Sequence, residues 1–433
     1  MTTMEMPIPF QRACLVALLA IMLTAQFGFA QAAPTAASGV EGKITSGLES
    51  YGDSSQRSIQ AETTAMRARL RTRLESLGEV SAEYKPKLST DFRQESKAHF
   101  GFSALKNVDD ARTVDTSRLP VSQIRAINQT TEHVVDGNLI PISVLNGAIK
   151  PGGDQIYPEL TSLIANSGPE MTALAAKVGR IRYWIKNGKD AIAMQDSDAY
   201  LAGTGFVIGE GTIATACHVL DYITDESTVT LSPNLWVKID LSADSQTHQA
   251  YAITGVVGKG SLEGQDYAIL SVSKVSEDGS HNLPGPMPLA AKVDTSKYIG
   301  VIGYPDIAGA VKACAPEGSG CDETNKWFAS FASKNPGVIK IISPGRITGY
   351  PDTHKFPIIT YDAPTLGGQS GSPVVDLQSK VVIGLHYCCT GYKPRSNEPT
   401  CAQLQPTSLG DKSDNEALSI GDIAIPKVEQ AKR

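Results

Sequence analysis

Gly203-Thr204-Gly205-Phe206-Val207-Ile208, a turn, and then Thr212-Ile213-Ala214-Thr215-Ala216-Cys217-His218 decide how this chain reads. Two short β-type runs flank a tight glycine turn, and a histidine stands where the second run ends. The same rhythm continues outward. Leu235 to Ile239, Tyr251 to Val257, Ala268 to Val272, Tyr298 to Ile302, Val338 to Ile342, Ile358 to Tyr361, Val381 to Leu385 and Leu418 to Ile425 are rich in β-formers and bounded by turn residues. No helix-length periodic segment alternates with them, so the prediction is an antiparallel, all-β unit and not a doubly wound sheet. Gly203-x-Gly205-x-x-x-Gly209 misses the dinucleotide-binding spacing and leads into a strand, where a phosphate-binding loop must open a helix.

Upstream the composition differs. From Ala33 to about Gly168 the chain is polar, with one clear helix in which Ile59, Thr63, Met66, Leu70, Leu74 and Leu77 recur at steps of three and four and Gly78 marks the end. Arg57, Arg67, Arg69, Arg71 and Arg73 on its other face, interspersed with Glu62 and Glu75, read as a solvated stripe and not as a grip on nucleic acid. A second helical stretch, Pro169 to Val178, leads into the β region. The reading divides the chain into residues 1–32, 33–170 and 171–433.

Residues 1–32 read as a signal peptide. Arg12 precedes an apolar run from Ala13 to Ala25, and Ala30-Gln31-Ala32 offers the small residues a signal peptidase inspects. An uncleaved anchor is the competing reading, since apolar character continues to Ala30. A cleaved signal implies a secreted or periplasmic product with no stable membrane association. Cys14 then leaves with the signal, and Cys217, Cys314, Cys321, Cys388, Cys389 and Cys401 remain in a compartment that permits disulfides. Cys314 with Cys321 is the easiest bond to close, and Cys401 with Cys388 or Cys389 comes next. No CxxC spacing supports zinc. With 39 basic against 45 acidic residues and a net charge of -6, the chain has no general attraction for phosphate or anionic lipid, and no nucleic-acid partner is expected.

Chemistry concentrates in three motifs of the β region: Thr215-Ala216-Cys217-His218, Asp266-Tyr267-Ala268-Ile269-Leu270 and Gly368-Gln369-Ser370-Gly371-Ser372-Pro373. Each sets a polar residue at the edge of strand-forming sequence. In this order and at spacings of 48 and 104 residues, they resemble the chymotrypsin-like serine proteases, most closely the bacterial branch that includes glutamyl endopeptidases. The resemblance spans roughly Ile181 to Val428 and leaves the N-terminal third unaddressed. It implies two antiparallel six-stranded β-barrels, here preceded by a partly helical N-terminal region. The α/β-hydrolase order, with acid and histidine after the nucleophile, is excluded.

A serine hydroxyl becomes a nucleophile when an imidazole accepts its proton, and a buried carboxylate must hold that imidazole in the right tautomer. Ser370 is therefore read as nucleophile, His218 as general base and then acid, and Asp266 as the orienting carboxylate. The glycines around Ser370 let the backbone aim the amides of Gly368 and Ser370 at a developing oxyanion. Neither metal nor organic cofactor is needed, and the expected partners are protein or peptide substrates, with oligomeric state left open.

The resemblance extends to Thr365 and His386, which stand where glutamyl endopeptidases bind an acidic side chain, and so implies cleavage after Glu or Asp. Tyr387-Cys388-Cys389 departs from the glycines usual in that family. Gln369 replaces the aspartate that pairs with a freed N-terminus in digestive members, so activation must differ. Residues 33–170 are expected to be a prosegment, or alternatively a permanent accessory region. The different-class alternative for the whole protein is a catalytically inactive binding protein on the same fold.

Overall fold

In the computed structural model, residues 60–423 are described except for 62, 101–108, 111–112, 137, 146, 151–154, 187–198, 226–228, 243–248, 261–264, 292–296, 317–322, 351–355, 390–391, 395–403 and 407–414. The signal peptide, Arg57 and the disulfide candidates Cys321 and Cys401 lie outside the described residues. Residues 57–433 form one compact unit.

After two N-terminal strands, β1 (Ile142–Leu145) and β2 (Ala148–Lys150), the chain enters the first barrel with β3 (Val178–Ile185), β4 (Tyr200–Gly209) and β5 (Thr212–Thr215). The β4–β5 turn closes at Gly211, whose φ of +72° favours glycine. A two-stranded excursion, β6 (Thr224–Asp225) and β7 (Thr230–Leu231), precedes β8 (Leu235–Asp240), β9 (Ala250–Lys259) and β10 (Ala268–Val272). Six of these strands close antiparallel in the order β10-β5-β4-β3-β8-β9, with β9 returning to β10. Ile181, Phe206, Ile213, Ile239, Tyr251 and Ile269 are buried in its core, as the alternation of apolar residues demands.

The second barrel uses β11 (Tyr298–Gly303), β12 (Lys340–Gly349), β13 (Ile358–Tyr361), β14 (Pro373–Asp376) and β15 (Val382–Cys389). After the small pair β16 (Tyr392–Pro394) and β17 (Leu404–Pro406), β18 (Asn415–Ser419) completes it. The ring β11-β14-β15-β18-β13-β12 is closed by the β12–β11 pairing, so the expected pair of six-stranded antiparallel barrels is present. Sequence reading missed β3 and β14. Val178, expected at a helix end, opens β3, because the preceding helix stops at Ala175. The run expected from Leu418 to Ile425 leaves the sheet at Ser419 for a 3-10 turn over Ile420–Asp422.

Two helices unforeseen in the sequence, Ile307–Ala313 and Glu323–Lys334, are inserted between β11 and β12. Phe328 and Phe331 bury themselves with Val338 and Ile341, and Trp327 and Leu366 pack against that cluster.

The N-terminal region is helical over 63–76, Lys85–Phe100, Val121–Asp136, Pro158–Asn166 and Gly168–Ala175. Met66, Leu70, Leu74 and Leu77 are buried on the predicted face. The arginine stripe is not solvated throughout, however. Arg73 is 1% exposed and donates to the Asn128 carbonyl at 3.1 Å, while Arg67 donates to that of Leu119 at 3.2 Å. These arginines face neighbouring backbone that an isolated helix would not have. The region continues into the second barrel: β1 pairs antiparallel with β12, setting Ser143 opposite Ile341, and the Tyr157 and Tyr298 rings lie 6.0 Å apart. Glu79 receives Lys297 at 2.9 Å and Arg346 at 3.2 Å.

Candidate active site

Register brings His218 and Asp266 together. β10 pairs with β5 so that Ala268 faces Thr215. In an antiparallel ladder, two steps back from Ala268 meet two steps forward from Thr215, which puts Asp266 beside the start of the 3-10 helix Cys217–Tyr222. Asp266 is 6% exposed and accepts twice from His218: its Oδ1 from the backbone N–H at 2.9 Å, and its Oδ2 from ring Nδ1 at 2.6 Å. A carboxylate only accepts, so the proton sits on Nδ1 and Nε2 is left as the basic nitrogen. Burial opposes charging the ring, but the Asp266 carboxylate, its hydrogen bond and the nearby Asp221 outweigh it and raise the His218 pKa above its ordinary value. Asp221 thus acts on His218 through its charge alone.

Ser370 belongs to the loop entering β14. Gly368 and Gly371 adopt φ of +90° and +88°. A Cβ at Gly371 would collide with the Thr204 carbonyl and the Thr215 hydroxyl and lie 2.8 Å from the Ala216 nitrogen. Only glycine lets this loop press against the strand end that delivers His218. Thr204 N–H donates to the Ser370 carbonyl at 2.8 Å, and Gly371 N–H to that of His386 at 2.7 Å. The backbone that carries Ser370 therefore lies against the strand end from which His218 follows.

Within this loop, carbonyls on one side hold the amides on the other. The Gly367 carbonyl accepts from Asp306 N–H at 2.7 Å, and the Gln369 carbonyl from Ser372 N–H at 2.9 Å. In a trans peptide N–H and C=O point oppositely, so the amides of Gly368 and Ser370 face away from those anchors. Among the described residues neither amide has a backbone acceptor. Two donors held this way suit an oxyanion.

Residues 203–385 match the trypsin-like peptidase domain. The matched stretch holds all three motifs and both candidate amide donors. No curated protein matches the chain. Among solved structures, it is similar to the active form of the Rv3671c protease from M. tuberculosis, at 20% identity and a TM-score of 0.33, over 61% of this chain and 83% of that one. It is also similar to that protease's inactive form, with the same identity and TM-score, over 61% of this chain and 92% of that one.

The two candidate specificity residues, Thr365 inside the matched stretch and His386 just past its end, are already engaged. Thr365 Oγ1 donates to Asn415 Oδ1 at 2.5 Å, and Asn415 Nδ2 donates to the Ala363 carbonyl at 2.7 Å. His386 is 5% exposed, with Nδ1 hydrogen-bonded to the Tyr361 hydroxyl at 2.6 Å and the ring also bonded to the Glu416 backbone. Burial, helped by nearby His218, pushes the His386 pKa down to about 4, so its imidazole is neutral at neutral pH. Tyr387, which departs from the family pattern, is buried and donates to Glu416 Oε2 at 2.6 Å. Gln369 is fully buried, its Oε1 accepting from Leu366 N–H at 2.9 Å.

Sequence reasoning missed Asn415, Tyr361 and Thr204. Tyr361 ends a β-type run and Asn415 lies in the polar stretch before the last one, neither with a local mark of its role. Thr204 had a signal, a hydroxyl residue between two glycines in an otherwise apolar strand.

Proposed function

We propose that the protein is a serine endopeptidase that works through an acyl-enzyme on Ser370. The observation that carries this reading is the buried Asp266 carboxylate clasping both the backbone and the ring of His218, at 2.9 and 2.6 Å. His218 Nε2 takes the Ser370 proton as the hydroxyl attacks a peptide carbonyl, and Asp266 stabilises the imidazolium that forms. The Gly368 and Ser370 amides stabilise the tetrahedral oxyanion, about 3 to 4 kcal/mol per donor in comparable sites. His218 then returns the proton to the leaving amine, and water, deprotonated by the same imidazole, releases the acyl group. A fluorophosphonate probe tests the reading: it labels the wild type, and Ser370→Ala abolishes the label. Persistent labelling of the alanine variant, or none of the wild type, sinks it, and the second outcome favours the inactive binding protein.

The finer readings attach to this one. Export, with disulfides among the six remaining cysteines, follows from the reading of residues 1–32 as a signal. Preference for Glu or Asp before the scissile bond rests on Thr365 and His386. Because His386 is neutral and already bonded, an acidic side chain would have to draw a proton onto it. Peptide reporters with Glu, Ala, Lys or Phe before the scissile bond test this, and turnover of a non-acidic reporter equal to that of Glu rejects it. Of the two readings of residues 33–170, the permanent region has the more support, since β1 extends the second barrel's sheet on β12 and the core runs on from Met66 through Tyr157 into the barrels. Mass spectrometry of active protein tests that choice, with a mature chain starting near 170 the contrary result.

A further inference from the structure

Thr204 of β4 is a fully buried hydroxyl residue that the mechanism above does not use. Its Oγ1 donates to the Gly368 carbonyl at 2.8 Å and accepts from Tyr304 N–H at 3.2 Å. Its backbone N–H donates to the Ser370 carbonyl at 2.8 Å, and its own carbonyl accepts from Thr215 Oγ1 at 2.7 Å. Every hydrogen-bonding group of the residue is satisfied, which a buried threonine requires.

The targets of these bonds are not arbitrary. Four consecutive peptide units run from Gly367 to Gly371, and each carbonyl has one donor. Asp306 N–H holds the unit carrying the Gly368 amide, and Ser372 N–H holds the one carrying the Ser370 amide. Thr204 holds the other two: the unit between the donor amides, through its hydroxyl, and the unit after Ser370, through its backbone. Gly368, at φ +90°, is the joint about which the two donor amides could turn relative to each other. A bond to the carbonyl of that joint fixes their relative direction.

We propose that Thr204 is a positioning residue, whose hydroxyl reaches from the first barrel to keep the Gly368 and Ser370 amides converged on one point. This deepens the serine-endopeptidase reading and rests on it. Thr204→Val keeps the shape and the backbone bond but deletes the hydroxyl, leaving the Gly368 carbonyl and Tyr304 N–H unpaired. Thr204→Ser restores the hydroxyl. The full chain is assayed with a cleaved peptide reporter and with the peptide aldehyde of the same sequence, whose adduct with Ser370 bears an oxyanion. Thr204→Val is expected to lower kcat roughly tenfold or more, a fraction of the loss caused by removing a donor outright. Aldehyde affinity should fall by a similar factor while KM stays put, and Thr204→Ser should recover most of both. Wild-type kcat and aldehyde affinity in Thr204→Val overturn the proposal. So does a loss that Thr204→Ser fails to recover, or one that falls equally on KM. Ser370→Ala separates the levels: an active Ser370→Ala overturns the endopeptidase reading itself, whereas an inactive one beside an unaffected Thr204→Val overturns only the role of Thr204.

Discussion

His218 carries the most consequential charge in the molecule, and its environment fixes a pH dependence. As the general base proposed above, His218 works only when unprotonated, so activity is expected to rise as it loses its proton, and its raised pKa moves that rise to higher pH. Asp266→Asn removes the carboxylate that raises the pKa and also loses the tautomer. The expected result in a pH profile of kcat/KM is a midpoint below the wild type's, with kcat down by about four orders of magnitude. His386 predicts the reverse kind of sensitivity, in stability. Its folded pKa, near 4, lies below its unfolded value, so its contribution is complete above about pH 6.5 and is lost as pH falls toward 4. Thermal melts should show the wild type losing more stability than His386→Gln between those limits. Gly371→Ala combines a left-handed φ with a collision against the Thr204 backbone, so labelling of Ser370 by a fluorophosphonate should drop to background.

Elements were legible in proportion to how locally their sequence is determined. β5 and β10 announce themselves by β-branched residues, and the motifs ending or preceding them disclose His218 and Asp266 before any coordinates are known. The Glu323–Lys334 helix did not, because it earns its place through tertiary packing of Phe328 and Phe331 against Val338 and Ile341, which no local period displays. The helix over 63–76 was read correctly on its apolar side and incorrectly on the other, since burial of Arg73 depends on the distant Asn128 carbonyl. That burial has a measurable counterpart. Arg73→Ala removes the donor and strands the carbonyl, and should cost about 1 to 3 kcal/mol in denaturant unfolding, whereas alanine at exposed Arg71 should stay within about 0.5 kcal/mol of wild type.

At the scale of the molecule, the barrels meet over charged groups that sequence patterning cannot reveal. Lys340 of β12 is 1% exposed and donates to the Ala175 and Leu241 carbonyls at 2.8 and 2.9 Å. Asp240, paired with Arg180 at 2.7 Å, belongs to the first barrel's side of this junction. Burial pushes the Lys340 pKa down to about 7, with the Asp240 carboxylate opposing and Arg180 reinforcing the shift. Between about pH 7 and 10 the unfolded chain holds a proton on this lysine that the folded chain does not, so stability from this group rises with pH. The melting temperature of the wild type should therefore climb relative to Lys340→Met between pH 7 and 9, and parallel curves would contradict it. The two barrels were predictable because the motif order could be read as a resemblance. Their junction was not, since Lys340 looks like any strand lysine until both halves are folded around it.

Gln369 leads to a practical conclusion. Its side chain clips to Leu366 inside the same short loop, with no charged counterpart among the described residues. A latch of that kind has no ion pair of its own for salt to screen or for a freed N-terminus to complete. Recombinant protein with extra residues fused at its front should hydrolyse peptides as readily as trimmed material, in dilute buffer and in brine alike.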